Sequence, residues 1–272
     1  AESPAFLKMK AEGTHSKAPL SEAFGQWKNA KWAILALFGM VAGQGVVWYT
    51  GQFYALFFLT SVLKVDGYTG NLLVAWSLAI GTGGFILFGW LSDKIGRKPI
   101  ILGGCLIAVI SYFPVFNLLA ETANPALSAA HESVKVVVVA DPNDCSFQFN
   151  PVGTAKFTSS CDIAKGALAR ASVVYSQQNA PAGTGASVKI GETTIDAKSA
   201  TFAKDLTETL TKVGYPAASN PSVVKMANPV DIFRSQPFKL VLILAFLMVL
   251  VTMVYGPIAA ALSLIRARSS GF

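Results

Sequence analysis

The chain has 272 residues, of which 53% are hydrophobic and only 14% are charged, and this composition excludes an ordinary soluble domain. A net charge of +7 would suit a nucleic-acid partner if the cations formed one patch. They instead flank long apolar runs, so we predict no nucleic-acid partner and interpret the charge as a signal of membrane orientation.

Four apolar runs are long enough to cross a bilayer, which takes about 20 helical residues. They cover residues 32–63, 71–90, 100–119 and 238–265, and none contains an acidic residue. A buried helix of a soluble protein would need an apolar run only about half as long. The sequence therefore predicts an all-α membrane protein with four spans, preceded by a polar linker over residues 1–31.

The first span is unusually polar for a membrane helix, and four glycines, Gly39, Gly43, Gly45 and Gly51, are expected to interrupt it. Irregular backbone and amide side chains inside a membrane usually face a hydrated cavity. The candidates for contacts in such a cavity are Gln44, Trp48, Tyr49 and Gln52, with Tyr255 from the fourth span. We favour the cavity for the two glutamines, whose spacing of eight places them on nearly the same helix face. An aromatic belt at the membrane surface explains Trp48 and Tyr49 equally well.

Later spans also carry residues that disturb or tighten helix packing. The second contains Gly81-Thr82-Gly83-Gly84, which suits close packing or a bend, and Pro114 and Pro257 are expected to break the third and fourth. Between the second and third spans lies a charged turn, Gly89-Trp90-Leu91-Ser92-Asp93-Lys94-Ile95-Gly96-Arg97-Lys98-Pro99.

The distribution of charge along the chain indicates how the spans are oriented in the membrane. Residues 1–31, the turn at 89–99 and the C-terminal end together carry ten cations against four acids, whereas residues 120–236 carry ten of each sign. By the positive-inside rule both ends and the turn face the cytoplasm, and the long polar segment lies outside.

The outer segment is predicted to be a small α+β unit. Strands are expected over residues 134–140 and, on either side of a Gly-Glu turn, over 187–195; a helix over 199–213 should stop at Gly214, and 177–185 reads as a loop. Cys145 and Cys161 both lie in this segment, and we predict a disulfide between them if it faces an oxidising compartment. Without histidines nearby, no metal site is predicted.

The residue order of the charged turn resembles a known signature loop. Gly89, Leu91, Ser92, Asp93, Lys94, Gly96, Arg97 and Lys98 occupy every defined position of the signature loop Gly-x-Leu-Ser/Ala-Asp-Arg/Lys-x-Gly-Arg/Lys-Arg/Lys, and the chain thereby resembles the major facilitator superfamily of transporters. The resemblance implies a gating loop in which Gly89, Asp93, Lys94, Gly96, Arg97 and Lys98 latch one conformation of the carrier. The alternative is that the cations only enforce topology.

Other stretches narrow the resemblance. Ala1-Glu2-Ser3-Pro4-Ala5-Phe6-Leu7 is similar to a signature that follows span six of that twelve-span family, so the four runs would be spans seven to ten. Residues 43–54, 255–259 and the outer insertion are most similar to the metabolite:proton symporter branch. The expected organisation is a cytoplasmic central linker (1–31), spans seven to nine (32–120), a periplasmic α+β insertion (121–236), and span ten with a cytoplasmic tail (237–272). After Ala261 the tail departs from the family pattern.

This resemblance implies proton-coupled symport of a small metabolite, an organic acid or a zwitterion, by alternating access across a bacterial inner membrane. The partners would be the metabolite, a proton, the bilayer and an N-terminal half that this sequence does not contain. Because the four spans contain no Asp, Glu or His, the proton carrier is expected in that half. The alternative function is a membrane-anchored receptor or assembly protein whose outer domain binds a ligand or partner. No cofactor is predicted, and without a catalytic set the chain is predicted not to be an enzyme.

Overall fold

The computed structural model of the chain describes residues 24–148, 156–217 and 220–269, with Ala11, Ser21 and Thr154, and the side chains of all of these except Ala36, Met40 and residues 259–269. Most of the predicted linker, the signature at residues 1–7 and the last three residues of the tail lie outside this description.

Seven helices and four strands form the main elements of the described chain. In order they are α1 (Trp27–Val62), α2 (Gly67–Ile95), α3 (Arg97–Ala123), α4 (Pro125–Ser133), β1 (Val136–Ala140), α5 (Ser160–Arg170), β2 (Ser176–Asn179), β3 (Ser187–Ile190), β4 (Thr193–Asp196), α6 (Phe202–Lys212) and α7 (Ser235–Ser269). Helices α1, α2, α3 and α7 are long and apolar enough to cross a membrane, and they coincide with the four predicted spans.

Helix α1 is continuous but irregular. Its α-helical turns alternate with wider π turns at Leu37–Val41, Thr50–Tyr54 and Phe58–Val62. Isolated π turns are rare and occur frequently at functional sites. Gly39 and Gly51 lie in two of them, whereas Gly43 and Gly45 lie in the α-helical stretch Ala42–Tyr49. The predicted interruption of the span was therefore wrong, because the helix changes its winding without breaking.

Two other expected irregularities are absent from the described helices. Helix α3 continues through Pro114 and helix α7 through Pro257, so the predicted breaks there were wrong. Inside a membrane protein, neighbouring helices and local adjustments can satisfy the backbone groups that a proline frees.

The charged turn is also tighter than predicted. Helix α2 runs on through Ile95, and helix α3 begins at Arg97, so that Gly96 alone connects them. Gly96 has a φ of +91°, in the left-handed region that favours glycine. Gly89 and Asp93 therefore lie on the last turns of α2 rather than in a loop.

The chain divides into two compact units. The helical unit comprises Ala1–Leu56, Leu72–Val115 and Val241–Phe272, and the α+β unit comprises Phe57–Asn71 and Phe116–Leu240.

In the helical unit, α7 packs against the other three long helices. Leu250 and Val254 of α7 share a buried cluster with Val47 of α1 and Ala108 of α3. Against α2 the contact is made through glycine. A Cβ on Gly81 would lie 2.6 Å from the Cβ of Met248, and one on Gly84 would overlap the side chain of Thr252. Small residues allow membrane helices to approach this closely, as expected for Gly81–Gly84.

The α+β unit contains a four-stranded sheet in the order β2-β1-β3-β4. Strand β1 pairs in parallel with β2 and antiparallel with β3, and β3 pairs antiparallel with β4. Alternate residues of β1 (Val136, Val138 and Ala140) are buried, as expected for one covered sheet face. Helix α5 packs on β1 and β3, and α6 packs on β4.

Most of the local predictions for this unit are confirmed. The strands on either side of the Gly191-Glu192 turn are β3 and β4, and α6 ends before Gly214, which has a φ of +97°. The loop predicted over 177–185 was partly wrong, because Ser176–Asn179 forms β2. All four of its residues are polar and exposed, and only the pairing with β1 makes this segment a strand.

Cys145 and Cys161 form a disulfide in the structure, with their Cα atoms 5.1 Å apart. The bond joins the segment after β1 to the first turn of α5. Asp144 and Asp162 reinforce this corner: the Asp144 carboxylate accepts from the backbone N–H of Cys161 at 3.1 Å, and Asp162 accepts from the N–H of Ser146 at 3.0 Å.

Candidate functional site

A cavity of about 200 Å³ lies within the helical unit, between α1, α2 and α7. Its polar and aromatic lining consists of Trp48, Gln52, Thr82, Phe85, Thr252 and Tyr255. Leu78, Gly81, Met248 and Val251 complete the wall. The cavity therefore lies between helices of membrane-spanning length, and its wall presents amide, hydroxyl and aromatic groups.

Three of the residues singled out from sequence meet here. The indole N–H of Trp48 donates to the Gln52 side-chain oxygen at 2.8 Å, which fixes the amide one turn further along α1. The Trp48 ring lies 4.7 Å from the ring of Tyr255, and the Tyr255 ring makes an edge contact with Phe85 at 6.2 Å. These contacts hold three aromatic rings and one amide in a defined arrangement.

The cavity offers neutral recognition chemistry. Its described lining contains no charged side chain. With its oxygen engaged by Trp48, Gln52 keeps its amide N–H groups for another acceptor, and the Tyr255 hydroxyl has no hydrogen bond to any described residue. Thr82 and Thr252 donate to carbonyls of their own helices, Leu78 and Val249, so their oxygens are left as acceptors. A small polar molecule could thus be held by hydrogen bonds against aromatic walls.

The other two candidates lie elsewhere. Tyr49 is 64% exposed and stacks on Phe53, with ring centroids 5.2 Å apart. Gln44 does not line the cavity, and its amide nitrogen is buried without a hydrogen-bond partner among the described residues. The alternative of an aromatic belt at the membrane surface thus fits the exposed position of Tyr49 better than that of Trp48.

Seven lining residues were not proposed as cavity residues from sequence, although two of them, Gly81 and Thr82, belong to the stretch expected to pack closely: Leu78, Gly81, Thr82, Phe85, Met248, Val251 and Thr252. Thr82 and Phe85 flank the glycines that bring α2 against α7, so the only available signal was their position next to Gly81 and Gly84. Met248 and Thr252 are the residues that those glycines contact. The lining of a cavity between helices depends on which faces pack together, which one helix alone does not specify.

The signature residues lie at the end of α2 and the start of α3. The Ser92 hydroxyl is buried and donates to the Gly89 carbonyl at 2.7 Å, and the Lys94 ammonium lies 3.9 Å from the centre of the Trp90 ring. Asp93, Gly96, Arg97 and Lys98 are exposed. Asp93 forms no ion pair with any residue that the structure describes.

Comparison with known proteins identifies the family of the chain. The sequence model of the Major Facilitator Superfamily matches residues 2–138, half of the chain. High-affinity glucose transporter 1 of Candida albicans (strain SC5314) and the high-affinity glucose transporter of Candida albicans are each 26% identical to the chain over 100 residues. Each match covers 36% of this chain but only 18% of the relative's length. No solved structure matches the chain.

Proposed function

The chain belongs to the Major Facilitator Superfamily, and from this premise we propose that it is part of a proton-coupled symporter that moves a small metabolite by alternating access. Members of this family are multi-pass membrane carriers and generally not enzymes, in keeping with four helices of membrane length. The observation that carries the proposal is the cavity of Trp48, Gln52 and Tyr255, because polar groups inside apolar helices mark transport pathways.

The proposed substrate is an organic acid or a zwitterion, and the cavity favours the zwitterion. The faces of Trp48 and Tyr255 suit an ammonium group, which aromatic rings attract. The Gln52 amide and the Tyr255 hydroxyl are donors for a carboxylate. No described cation in the lining would hold a carboxylate as an ion pair, so a substrate with more than one negative charge would need cations from elsewhere. The relatives' names refer to glucose, which would use the same neutral donors.

The proton carrier is proposed to lie in an N-terminal half that completes the site. Asp, Glu and His are the side chains that carry protons in membrane transporters. None of them occurs in the four apolar runs, which cover residues 32–63, 71–90, 100–119 and 238–265. Substrates of such carriers bind between two repeats that rock against each other. The cavity described above would then be one wall of the complete site.

The test is uptake of labelled betaine, succinate and glucose into cells that express the full-length carrier. Tyr255→Phe removes one free hydroxyl from the cavity and should lower uptake several-fold, the effect of one lost hydrogen bond. Tyr49→Phe removes a hydroxyl that does not line the cavity and serves as the matched control, with uptake unchanged. Equal effects of the two variants would contradict the assignment of the cavity.

The same assay tests whether uptake is coupled to proton entry. A protonophore should abolish uptake above background, and uptake that survives would exclude proton symport. Liposomes that contain residues 1–272 alone should show no proton-driven uptake, because the proposed proton carrier is missing. Proton-driven uptake by this chain would refute that placement.

We further propose a bacterial inner membrane with both chain ends cytoplasmic and residues 121–236 periplasmic, as the charge distribution indicates. In a Cys105→Ser background, a membrane-impermeant maleimide should label intact spheroplasts only after reduction of Cys145–Cys161. Labelling without reduction would mean that the disulfide does not form in the cell. Labelling that requires permeabilised cells would mean that the segment faces the cytoplasm.

A further inference from the structure

A second cavity, of about 280 Å³, lies entirely within the α+β unit. Its wall includes Lys64 and Arg170, and its described lining contains no acidic residue. Two cations in one small cavity repel each other and favour an anion between them.

Lys64 is held in place rather than mobile. Its backbone has a φ of +61°, and its ammonium donates to the carbonyls of Ser61 at 2.7 Å and Arg170 at 3.0 Å. Carbonyl contacts fix the position of the ammonium but leave its charge uncompensated, and one N–H remains for a further acceptor. A structural role explains these contacts as well, because the Arg170 carbonyl belongs to the C-terminal end of α5.

Arg170 is an exposed cation in the last turn of α5, where a positive charge also suits the C-terminal end of the helix. Its guanidinium makes no hydrogen bond or ion pair with any described residue, although it is the last residue of α5 and reaches the cavity wall. A free guanidinium presents a planar set of N–H donors that matches a carboxylate with two parallel hydrogen bonds.

The remaining wall suits an organic ligand. Leu127 and Leu210 provide an apolar floor, and both are buried. Tyr215 also lines the cavity, is only 5% exposed, and has a hydroxyl without a hydrogen-bond partner in the described structure. Buried polar groups are normally paired, so an unpaired hydroxyl in the wall of a cavity points to a missing partner.

We propose that this cavity binds a small organic anion with carboxylate groups, which Lys64 and Arg170 hold while its carbon skeleton rests on Leu127 and Leu210. The volume lies at the small end of ligand pockets, which fits a metabolite of a few carbon atoms. This proposal does not depend on transport, since the cavity belongs to the α+β unit alone.

The test is calorimetric titration of the full chain in nanodiscs with succinate, which offers one carboxylate to each cation. Arg170→Gln should weaken binding by about tenfold or more, the effect of losing a charge-assisted hydrogen bond. Lys189→Gln removes an exposed cation of the same unit that does not line the cavity, and it should leave the affinity unchanged. Neutral succinamide should not bind, and inorganic phosphate should bind at least tenfold more weakly than succinate.

Several results would overturn the proposal: no succinate binding at millimolar concentration, equal affinities for wild type and Arg170→Gln, or phosphate binding as tightly as succinate. Binding that responds to Tyr255→Phe but not to Arg170→Gln would place succinate in the membrane cavity and would also overturn it. Arg170→Gln is the primary variant because its side chain supports no described contact, whereas Lys64→Gln would also disturb the end of α5.

Discussion

At the scale of single residues, side chains of the same type have different surroundings. Tyr255 of α7 lines the membrane cavity and Tyr49 of α1 stacks on an exposed Phe53. On α1, Gln52 is fixed by Trp48, whereas the amide nitrogen of Gln44 is buried without a partner among the described residues. The difference arises from helix geometry. Eight residues of a helix rise by about 12 Å and do not complete a whole number of turns, so a spacing of eight does not place both glutamines in one small cavity.

The signature residue Asp93 leads to a prediction about gating. It is exposed on the last turns of α2 and has no described ion-pair partner, so its negative charge is available to cations that approach in another conformation of the carrier. Asp93→Asn should slow uptake by the full-length protein without reducing its amount in the membrane, measured by initial rates and immunoblotting. Unchanged rates would leave only the topological role of the loop. Glu192→Gln, which changes an exposed carboxylate outside the signature that makes no hydrogen bond or ion pair with a described residue, controls for charge alone.

At the scale of elements, the contact between α2 and α7 depends on the small size of the residues at positions 81 and 84. A Cβ on Gly84 would overlap the side chain of Thr252, whereas one on Gly83 would meet no atom within 4 Å. Substitution of Gly84 therefore disturbs the packing of α2 against α7, whereas the same substitution of Gly83 only changes a glycine within a helix.

Gly84→Val should destabilise the helical unit by about 1–3 kcal/mol, the usual cost of overpacking. The measurement is the midpoint of thermal aggregation after extraction in detergent, with Gly83→Val as the matched control. Equal losses in both variants would show that α2 and α7 do not approach through Gly84.

At the scale of the whole molecule, the α+β unit depends on ionised aspartates. Backbone N–H groups of Gly183 and Asn143 lower the pKa of Asp141, and those of Asn228 and Ala227 lower the pKa of Asp231. For Asp162, burial raises the pKa, but hydrogen bonds from Ser146 and Ser159 outweigh it and the net pKa is lowered. Each carboxylate is therefore better stabilised as an anion in the folded than in the unfolded chain.

Acid should consequently destabilise this unit. A lowered folded-state pKa contributes stability that is fully present above the unfolded value, about 4, and is lost as pH falls through the folded pKa. The thermal midpoint of the full chain in nanodiscs, followed by circular dichroism, should fall by several degrees between pH 5 and pH 3. Asp141→Asn should be less stable at pH 7 and less sensitive to acid, and an unchanged slope would contradict the role of Asp141.

The order of residues in the signature loop indicated the family. Composition and local pattern alone determined the four spans, the β3–β4 hairpin and the end of α6 at Gly214. These features depend on the summed hydrophobicity of a segment or on the backbone preferences of glycine, both of which act within a short stretch of chain. The tertiary structure decided that exposed, polar Ser176–Asn179 forms a strand, because its backbone pairs with the buried β1. It also decided that Trp48, Gln52, Phe85, Thr252 and Tyr255 share one cavity, since helix winding and the close approach at Gly84 depend on contacts between residues far apart in sequence.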